Sequence, residues 1–179
     1  LSEINEILIN HEALMLGYYK DEKQTQEIIK DGWLHTGDEG SIDEEGFLKI
    51  TGRVIDIFKT TKGKYIAPTP IEMKLSENNY IEQVCVVGNG IPQPIALAVL
   101  SEDARNSNDL KESISQALEN VNKTLDKHEV LNNIVLLKEN WTVENKFLTP
   151  TMKIKRNSIE KKYKENYTTW YKKDKVIEI

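Results

Sequence analysis

Three stretches of this chain gather the residue types that chemistry on anions requires. In Gly32-Trp33-Leu34-His35-Thr36-Gly37-Asp38-Glu39-Gly40, an acidic residue stands between glycines that let other groups approach the backbone closely. The stretch Thr51-Gly52-Arg53-Val54-Ile55-Asp56-Ile57-Phe58-Lys59-Thr60-Thr61-Lys62-Gly63-Lys64-Tyr65-Ile66-Ala67-Pro68 combines cations with turn residues, and so does Leu148-Thr149-Pro150-Thr151-Met152-Lys153-Ile154-Lys155-Arg156. Taken alone, the first reads as a turn, and the other two as anion-binding segments or solvated edges. No self-contained active site accompanies them. The sequence has no GxxxxGK[ST] phosphate loop, GxGxxG, HExxH or GxSxG, and His11, His35 and His128 lack ligand spacing, so no metal site is expected. Cys85, the single cysteine, reads as a small buried hydrophobe in a strand.

The elements that must position these stretches change in kind along the chain. The first half reads as short strands and turns. Residues 4 to 9 form an apolar run, and Gly46-Phe47-Leu48-Lys49-Ile50-Thr51 alternates apolar with polar after the turn-forming Asp43-Glu44-Glu45-Gly46. Residues 55–59 and 65–67 flank the Lys62-Gly63-Lys64 turn as short antiparallel strands. Residues 21–30 lack Gly and Pro and predict a short helix ending before Gly32.

The second half alternates helix and strand. Thr69-Pro70-Ile71-Glu72 supplies a capping Thr, a Pro at the first helical position and a Glu three residues after the cap, predicting a helix over residues 71–78. Gln83-Val84-Cys85-Val86-Val87 and Ile95-Ala96-Leu97-Ala98-Val99-Leu100 predict buried strands joined by a tight loop at Gly88-Asn89-Gly90. Leu110, Ile114, Ala117, Val121 and Leu125 mark one face of a helix over residues 109–127, behind an Asp109…Glu112 capping pattern. Ile134-Val135-Leu136-Leu137 is a further buried strand. Ile159, Tyr163, Tyr167 and Trp170 place an apolar stripe on a final helix with a basic opposite face. The fold class is α+β, with a sheet covered on both faces in a domain running from about residue 55 onward.

Composition narrows the function. A chain of 179 residues holds one domain and part of another at roughly 150 residues each. With 39% hydrophobic and 30% charged residues, it offers no apolar run of the length a bilayer span needs. The 24 Lys and Arg against 29 Asp and Glu argue against a nucleic-acid binder driven by overall charge. Charge is unevenly spread: residues 153–175 carry nine basic and three acidic side chains, so this tail favours an anionic partner. The lone cysteine fits a reducing, cytoplasmic compartment. The start, Leu1-Ser2-Glu3-Ile4-Asn5-Glu6, has neither a basic n-region nor an initiator Met, and reads as cut from a longer chain.

In this order and at these separations, the three stretches resemble the C-terminal portion of the AMP-forming acyl-CoA synthetases, within the adenylate-forming superfamily that includes luciferases and peptide-synthetase adenylation domains. The resemblance begins at Glu6-Ile7-Leu8-Ile9 and Met15-Leu16-Gly17-Tyr18-Tyr19-Lys20, and weakens in residues 101–145 and the last dozen. The wording Gly-Trp-Leu-His-Thr-Gly-Asp together with Leu-Thr-Pro-Thr-Met-Lys-Ile-Lys-Arg is most similar to the long-chain fatty acid CoA ligase branch.

The resemblance implies two half-reactions, each using a different orientation of a small C-terminal domain. An acid and ATP give an acyl-adenylate and pyrophosphate, and the acyl group then passes to the thiol of CoA, releasing AMP. It implies that Asp38, in the Thr36-Gly37-Asp38 motif, accepts the ribose hydroxyls of ATP or AMP, with Thr36 beside it, and that Arg53 also contacts ribose. It implies that Lys153 is the catalytic lysine, bridging the attacking carboxylate and the α-phosphate. Gly63 matches the glycine beside the pantetheine tunnel of CoA, although a hairpin turn requiring positive φ predicts the same residue. Lys155 and Arg156 are cations that attract the phosphates of CoA or ATP, or simply basic surface. The family's hinge residue, usually Asp or Lys, falls on Ile55 with Asp56 next to it. The domains implied are residues 1–53, the end of a large adenylate-forming domain, and residues 54–179, a mobile lid. ATP, Mg²⁺, CoA and a fatty acid are the implied cofactors and substrates. The phosphate loop and acyl pocket belong to a missing N-terminal domain, so the fragment is expected to be inactive alone. Peripheral membrane association follows by analogy with long-chain substrates. A competing reading makes the basic segment 153–175 a module for nucleic acid or an anionic membrane, with steeply salt-dependent binding.

Overall fold

The computed structural model describes every residue except Glu3, Ile4, Asn106, Lys172 and Lys173. The start of the apolar run at Ile4, and Lys172 and Lys173 of the basic tail, therefore lie outside the described residues. The chain divides into two compact units, Leu1–Asp56 and Ile57–Ile179.

The first unit is built on one long strand. The strands are β1 (Glu6–Ile9), β2 (Ile29–Lys30), β3 (Trp33–Ile42) and β4 (Leu48–Arg53), with helix α1 (Glu22–Ile28) between β1 and β2. Leu34 of β3 faces both Ile9 and Ile29, and Glu39 faces both Glu6 and Gly52, so β1 lies along one edge of β3 while β2 and β4 share the other. From Trp33 onward the Gly32 to Gly40 stretch is thus strand rather than turn, paired on both edges despite Gly37 and Gly40. Helix α1 starts where Asp21 accepts the N–H of Gln24 at 3.0 Å. It stops two residues short of the expected end because Ile29 and Lys30 pair with Leu34 and Trp33. Among the described residues of this unit, Ile7 is the one buried apolar side chain, whereas Ile42, Phe47, Leu48 and Ile50 are exposed.

The second unit holds the core. A two-stranded hairpin, β5 (Phe58–Lys59) with β6 (Tyr65–Ile66), precedes helix α2 (Pro68–Leu75). The main sheet contains β7 (Ile81–Val87), β8 (Ile95–Leu100), β9 (Ile134–Leu137) and β10 (Val176–Glu178), in the order β10-β9-β8-β7. The β7–β8 pair is antiparallel and the other two pairs are parallel. Parallel neighbours need crossovers: α3 (Glu102–Arg105) and α4 (Leu110–Asn122) lead from β8 to β9, and α5 (Arg156–Tyr163) and α6 (Tyr167–Tyr171) lead from β9 to β10.

Side chains alternate across the sheet with period two. Cys85, Val87, Leu97, Val99, Val135 and Ile177 join Trp141, Phe147 and the Ile159–Tyr163–Tyr167–Trp170 stripe on one face. Val84, Val86, Ala96, Ala98, Ile134 and Leu136 join Ile71, Leu75, Ile114 and Leu118 on the other. Both faces are covered, as the unbroken apolar runs predict. The fold class is α+β. Tyr163, Tyr167 and Trp170 are buried, so this aromatic stripe is core and not a stacking platform.

Five local expectations are corrected by the structure. Helix α2 begins at Pro68, with Ala67 at the N-cap and no side-chain cap, so Thr69 lies inside its first turn; the helix ends at Leu75, short of residue 78. Glu72 caps nothing because Arg156 and the Val86 N–H hold its carboxylate. Asp109 precedes α4, but its carboxylate is held by the hydroxyls of Tyr80 and Ser107 instead of capping. The same helix stops at Asn122, whose side-chain amide closes on both backbone groups of Leu131. The final helix is interrupted by a 3₁₀ turn at Lys164–Asn166, and β10 follows it.

Candidate functional site

In the first unit, the site residues come together along the β3–β4 pairing. Asp38 and Arg53 are directly opposite in the β3–β4 register, and the Arg53 guanidinium donates to Asp38 Oδ1 at 2.7 Å. Gly37 permits this approach: its φ is +72°, and a Cβ there would lie 3.3 Å from Arg53 Nη2. The Thr36 hydroxyl donates to the Ile7 carbonyl at 2.8 Å and accepts the Asp38 N–H at 3.1 Å, so it orients Asp38 through the backbone. The pair itself stays open, with 54% of the Arg53 side chain and 29% of Asp38 exposed.

A brace beneath this pair was not visible as a site residue in the sequence. Glu6, buried in β1, accepts from the Gly37 N–H at 2.9 Å, and its other oxygen pairs with His35 Nδ1 at 2.8 Å. Burial pushes the Glu6 carboxyl up. Hydrogen bonds from His35 and Gly37, with the charges of His35 and Lys30, outweigh burial and hold it below its ordinary 4.5. The one sequence signal was its place as an acidic residue leading an apolar strand. Glu6, Tyr18, Lys30, His35, Gly37 and Arg53 are among the residues lining a cleft of about 640 Å³. Chemically, the edge offers a carboxylate acceptor and a guanidinium donor side by side, an arrangement suited to a polyol bearing negative charge.

Ile55 and Asp56 fall in a 3₁₀ turn, Val54–Asp56, that closes the first unit. Ile55 is exposed.

In the second unit, Gly63 sits in the β5–β6 hairpin with φ +77°, donating its N–H to the Thr60 carbonyl at 2.9 Å. A Cβ there would meet only Lys59 Cε, at 3.9 Å, so the turn's conformation and not crowding selects glycine within this unit.

Lys153 lies on a separate hairpin. Leu148 and Ile154 form its closing bridge, and the Met152 N–H donates to the Thr149 carbonyl at 2.8 Å across a turn with Pro150 in second position. The Thr149 N–H donates to the Lys153 carbonyl at 2.8 Å, and the Lys153 N–H returns to the Thr149 hydroxyl at 3.0 Å. Met152 takes φ +60°, a left-handed conformation that turns the chain just before Lys153. The lysine is exposed. Lys155 is exposed as well, but Arg156 is not part of a basic surface: its guanidinium is bound to Glu72 at 2.7 and 3.0 Å and to the Val86 carbonyl at 2.7 Å. Cys85 is fully buried in β7, with its sulfur 3.1 Å from Arg156 Nη1.

An α+β unit that presents a lysine on a short hairpin, preceded by a strand edge bearing an Asp–Arg pair, defines a class. Residues 56–175 match the family described as the AMP-binding enzyme C-terminal domain, and the chain belongs to it. Among its relatives, long-chain-fatty-acid–CoA ligase FadD15 of Mycobacterium tuberculosis is 32% identical over 97% of this chain and 32% of its own length. Fatty acyl-CoA synthetase B of Dictyostelium discoideum is 31% identical over 96% of this chain and 28% of its own. Long-chain-fatty-acid–CoA ligase 5 of Mus musculus is 35% identical over 93% and 27%. This chain therefore spans about 30% of the length of these relatives. Among solved structures, the adenylation domain of a carboxylate reductase from Mycobacterium chelonae has a TM-score of 0.79 at 26% identity, covering 94% of this chain and 28% of that one. The o-succinylbenzoate CoA synthetase of Bacillus subtilis, bound to an acyl-adenylate, has a TM-score of 0.67 at 23% identity over 87% and 30%, a likeness of fold.

Proposed function

We propose that this chain is the C-terminal part of an ATP-dependent long-chain fatty acyl-CoA ligase that forms an acyl-adenylate and then an acyl-CoA, releasing pyrophosphate and AMP. The observation that carries this reading is the extent of similarity to long-chain ligases, 93 to 97% of the chain, which takes in Asp38, Arg53, Gly63 and Lys153 together. Residues 1–53 are then the end of a large N-terminal domain and residues 54–179 its mobile lid, with Ile55 and Asp56 at the hinge. The remainder of the enzyme supplies the acyl pocket and the phosphate loop.

Asp38 accepts the two ribose hydroxyls, with Arg53 donating beside it and Thr36 fixing the backbone. Lys153 places an ammonium where negative charge gathers between the attacking carboxylate and the α-phosphate, a preorganised electrostatic contribution. Gly63 leaves room for the pantetheine arm of CoA. Mg²⁺ accompanies ATP on this reading, and among the described residues no group of three His, Cys, Asp or Glu could hold a metal. No helix among the described residues is long and apolar enough to cross a membrane. On this reading the enzyme is cytoplasmic, with peripheral contact to membranes by analogy with long-chain substrates.

A second reading, an adenylating enzyme for another acid or carrier, is favoured by the likeness to the carboxylate reductase adenylation domain. One experiment separates the two: AMP release by the full-length protein with ATP, Mg²⁺, CoA and acids from acetate to palmitate, for wild type and Lys153→Ala. Activity on long acids that falls about 10²- to 10³-fold in the variant is expected. Activity confined to other acids supports the second reading, and activity unmoved by the substitution refutes the role of Lys153.

A further inference from the structure

Strand β7 is an edge strand of the main sheet, and edge backbone groups need partners. At Val86 they are found in side chains. The Val86 N–H donates to Glu72 Oε1 at 2.7 Å, and the Val86 carbonyl accepts from Arg156 Nη1 at 2.7 Å. The two side chains also bind each other, with Arg156 Nη2 2.7 and 3.0 Å from the Glu72 oxygens. Glu72 belongs to α2, which packs on one face of the sheet, whereas Arg156 opens α5 on the other. The pair therefore straddles the sheet edge, and only 12% of the Arg156 side chain and 15% of Glu72 are exposed.

Arg156 stands three residues after Lys153. Between them, the Lys155 N–H donates to the Phe147 carbonyl at 2.8 Å, so the path from the edge of the sheet to the lysine hairpin is short and tied by a hydrogen bond. Guanidinium and carboxylate fix each other's direction as well as distance, which a lone cation would not do.

We propose that Glu72 and Arg156 form a positioning clamp that sets where the Lys153 hairpin leaves the core. The clamp touches no substrate and acts through Lys153, so the proposal rests on the catalytic reading of that lysine. Displacing a catalytic group by about 1 Å can cost on the order of a hundredfold in rate. The clamp matters only in the step that uses Lys153, the formation of the adenylate.

The test uses the full-length enzyme carrying Glu72→Gln, Lys153→Ala or both. Two rates are measured: pyrophosphate exchange into ATP, and acyl-CoA formation from added acyl-adenylate. Glu72→Gln is expected to lower kcat for exchange about 10- to 100-fold. KM for ATP and the thioester step should stay within about twofold, and the substitution should add nothing in the Lys153→Ala background. Equal loss in both steps, or losses that multiply in the double variant, would show that the pair merely supports the fold. An unaffected Glu72→Gln beside an impaired Lys153→Ala rejects the clamp and leaves the catalytic reading standing. An unaffected Lys153→Ala rejects that reading and the clamp with it. Should Glu72→Gln not fold, Arg156→Lys, which keeps the charge but loses the planar fork, is measured in the same way with the same outcomes.

Discussion

Replacing Asp38 by Asn separates binding from scaffolding at the β3–β4 edge. Asn keeps the volume and one acceptor while removing the charge and half of the acceptor capacity. Among the described residues, Asp38 makes one ion pair, to Arg53 at 2.7 Å, and both partners are substantially exposed, at 29% and 54%. Exposed pairs of this kind contribute about 0 to 1 kcal/mol. Its loss should shift the thermal transition of the full-length enzyme by no more than about 4 °C, since the shift per kcal/mol shrinks with size. Against a ribose, the carboxylate offers two charge-assisted hydrogen bonds, each worth roughly 1.5–3 kcal/mol. With one acceptor retained by Asn, the loss is that of about one such bond, or roughly 10- to 150-fold in nucleotide affinity. The assay is KM for ATP in AMP release by the full-length enzyme, with a thermal scan of the same samples. An unchanged KM accompanied by a large fall in Tm would refute the assignment and leave Asp38 a structural residue.

Three further outcomes are expected. Gly63→Asn retains a residue that tolerates positive φ, whereas Gly63→Leu does not; if Gly63 borders the CoA path, both slow the thioester step, while a purely conformational role spares the Asn variant. Gly88→Ala would set a Cβ 2.6 Å from Phe58 Cε2 and is expected to cost about 1–3 kcal/mol by overpacking, read as a fall in the denaturant midpoint. The depressed Glu6 carboxyl contributes stability that is fully present above its unfolded value of 4.5 and is lost as pH falls through its lower folded value. Thermal scans from pH 6 down to 3 should therefore show an acid-dependent loss that Glu6→Gln reduces, and identical profiles for the two proteins would overturn this account.

What was legible in the sequence followed burial. The runs at residues 84–87, 95–100 and 134–137 are apolar at every position because both faces of their sheet are covered, and continuous apolarity is the signature of such strands. The stripe Ile159, Tyr163, Tyr167 and Trp170 stayed on one side even though a 3₁₀ turn divides the helix, since burial constrains the face more than the hydrogen-bond pattern. Capping was misread where a longer-range partner outbid the local one: Glu72 serves Val86 and Arg156, and Asp109 serves Tyr80. Strand β10 was missed because three residues are too few to establish a period. Of the candidate site, the spacing of Asp38, Arg53, Gly63 and Lys153 was readable as a resemblance. The Glu6 brace and the Glu72–Arg156 pair were not, because each joins residues far apart in sequence whose types are individually ordinary.

The uneven distribution of buried side chains has a thermodynamic consequence. The second unit encloses two apolar clusters around one sheet, while Ile7 is the buried apolar side chain described for the first. Apolar burial is the dominant favourable contribution to folding, so the two units do not draw on equal reserves. Heating this chain should not give one all-or-none transition. Calorimetry would resolve a weak, early and broad loss of the β1–β4 unit ahead of a sharper peak from the sheet-and-helix unit, and a single melting temperature would describe neither.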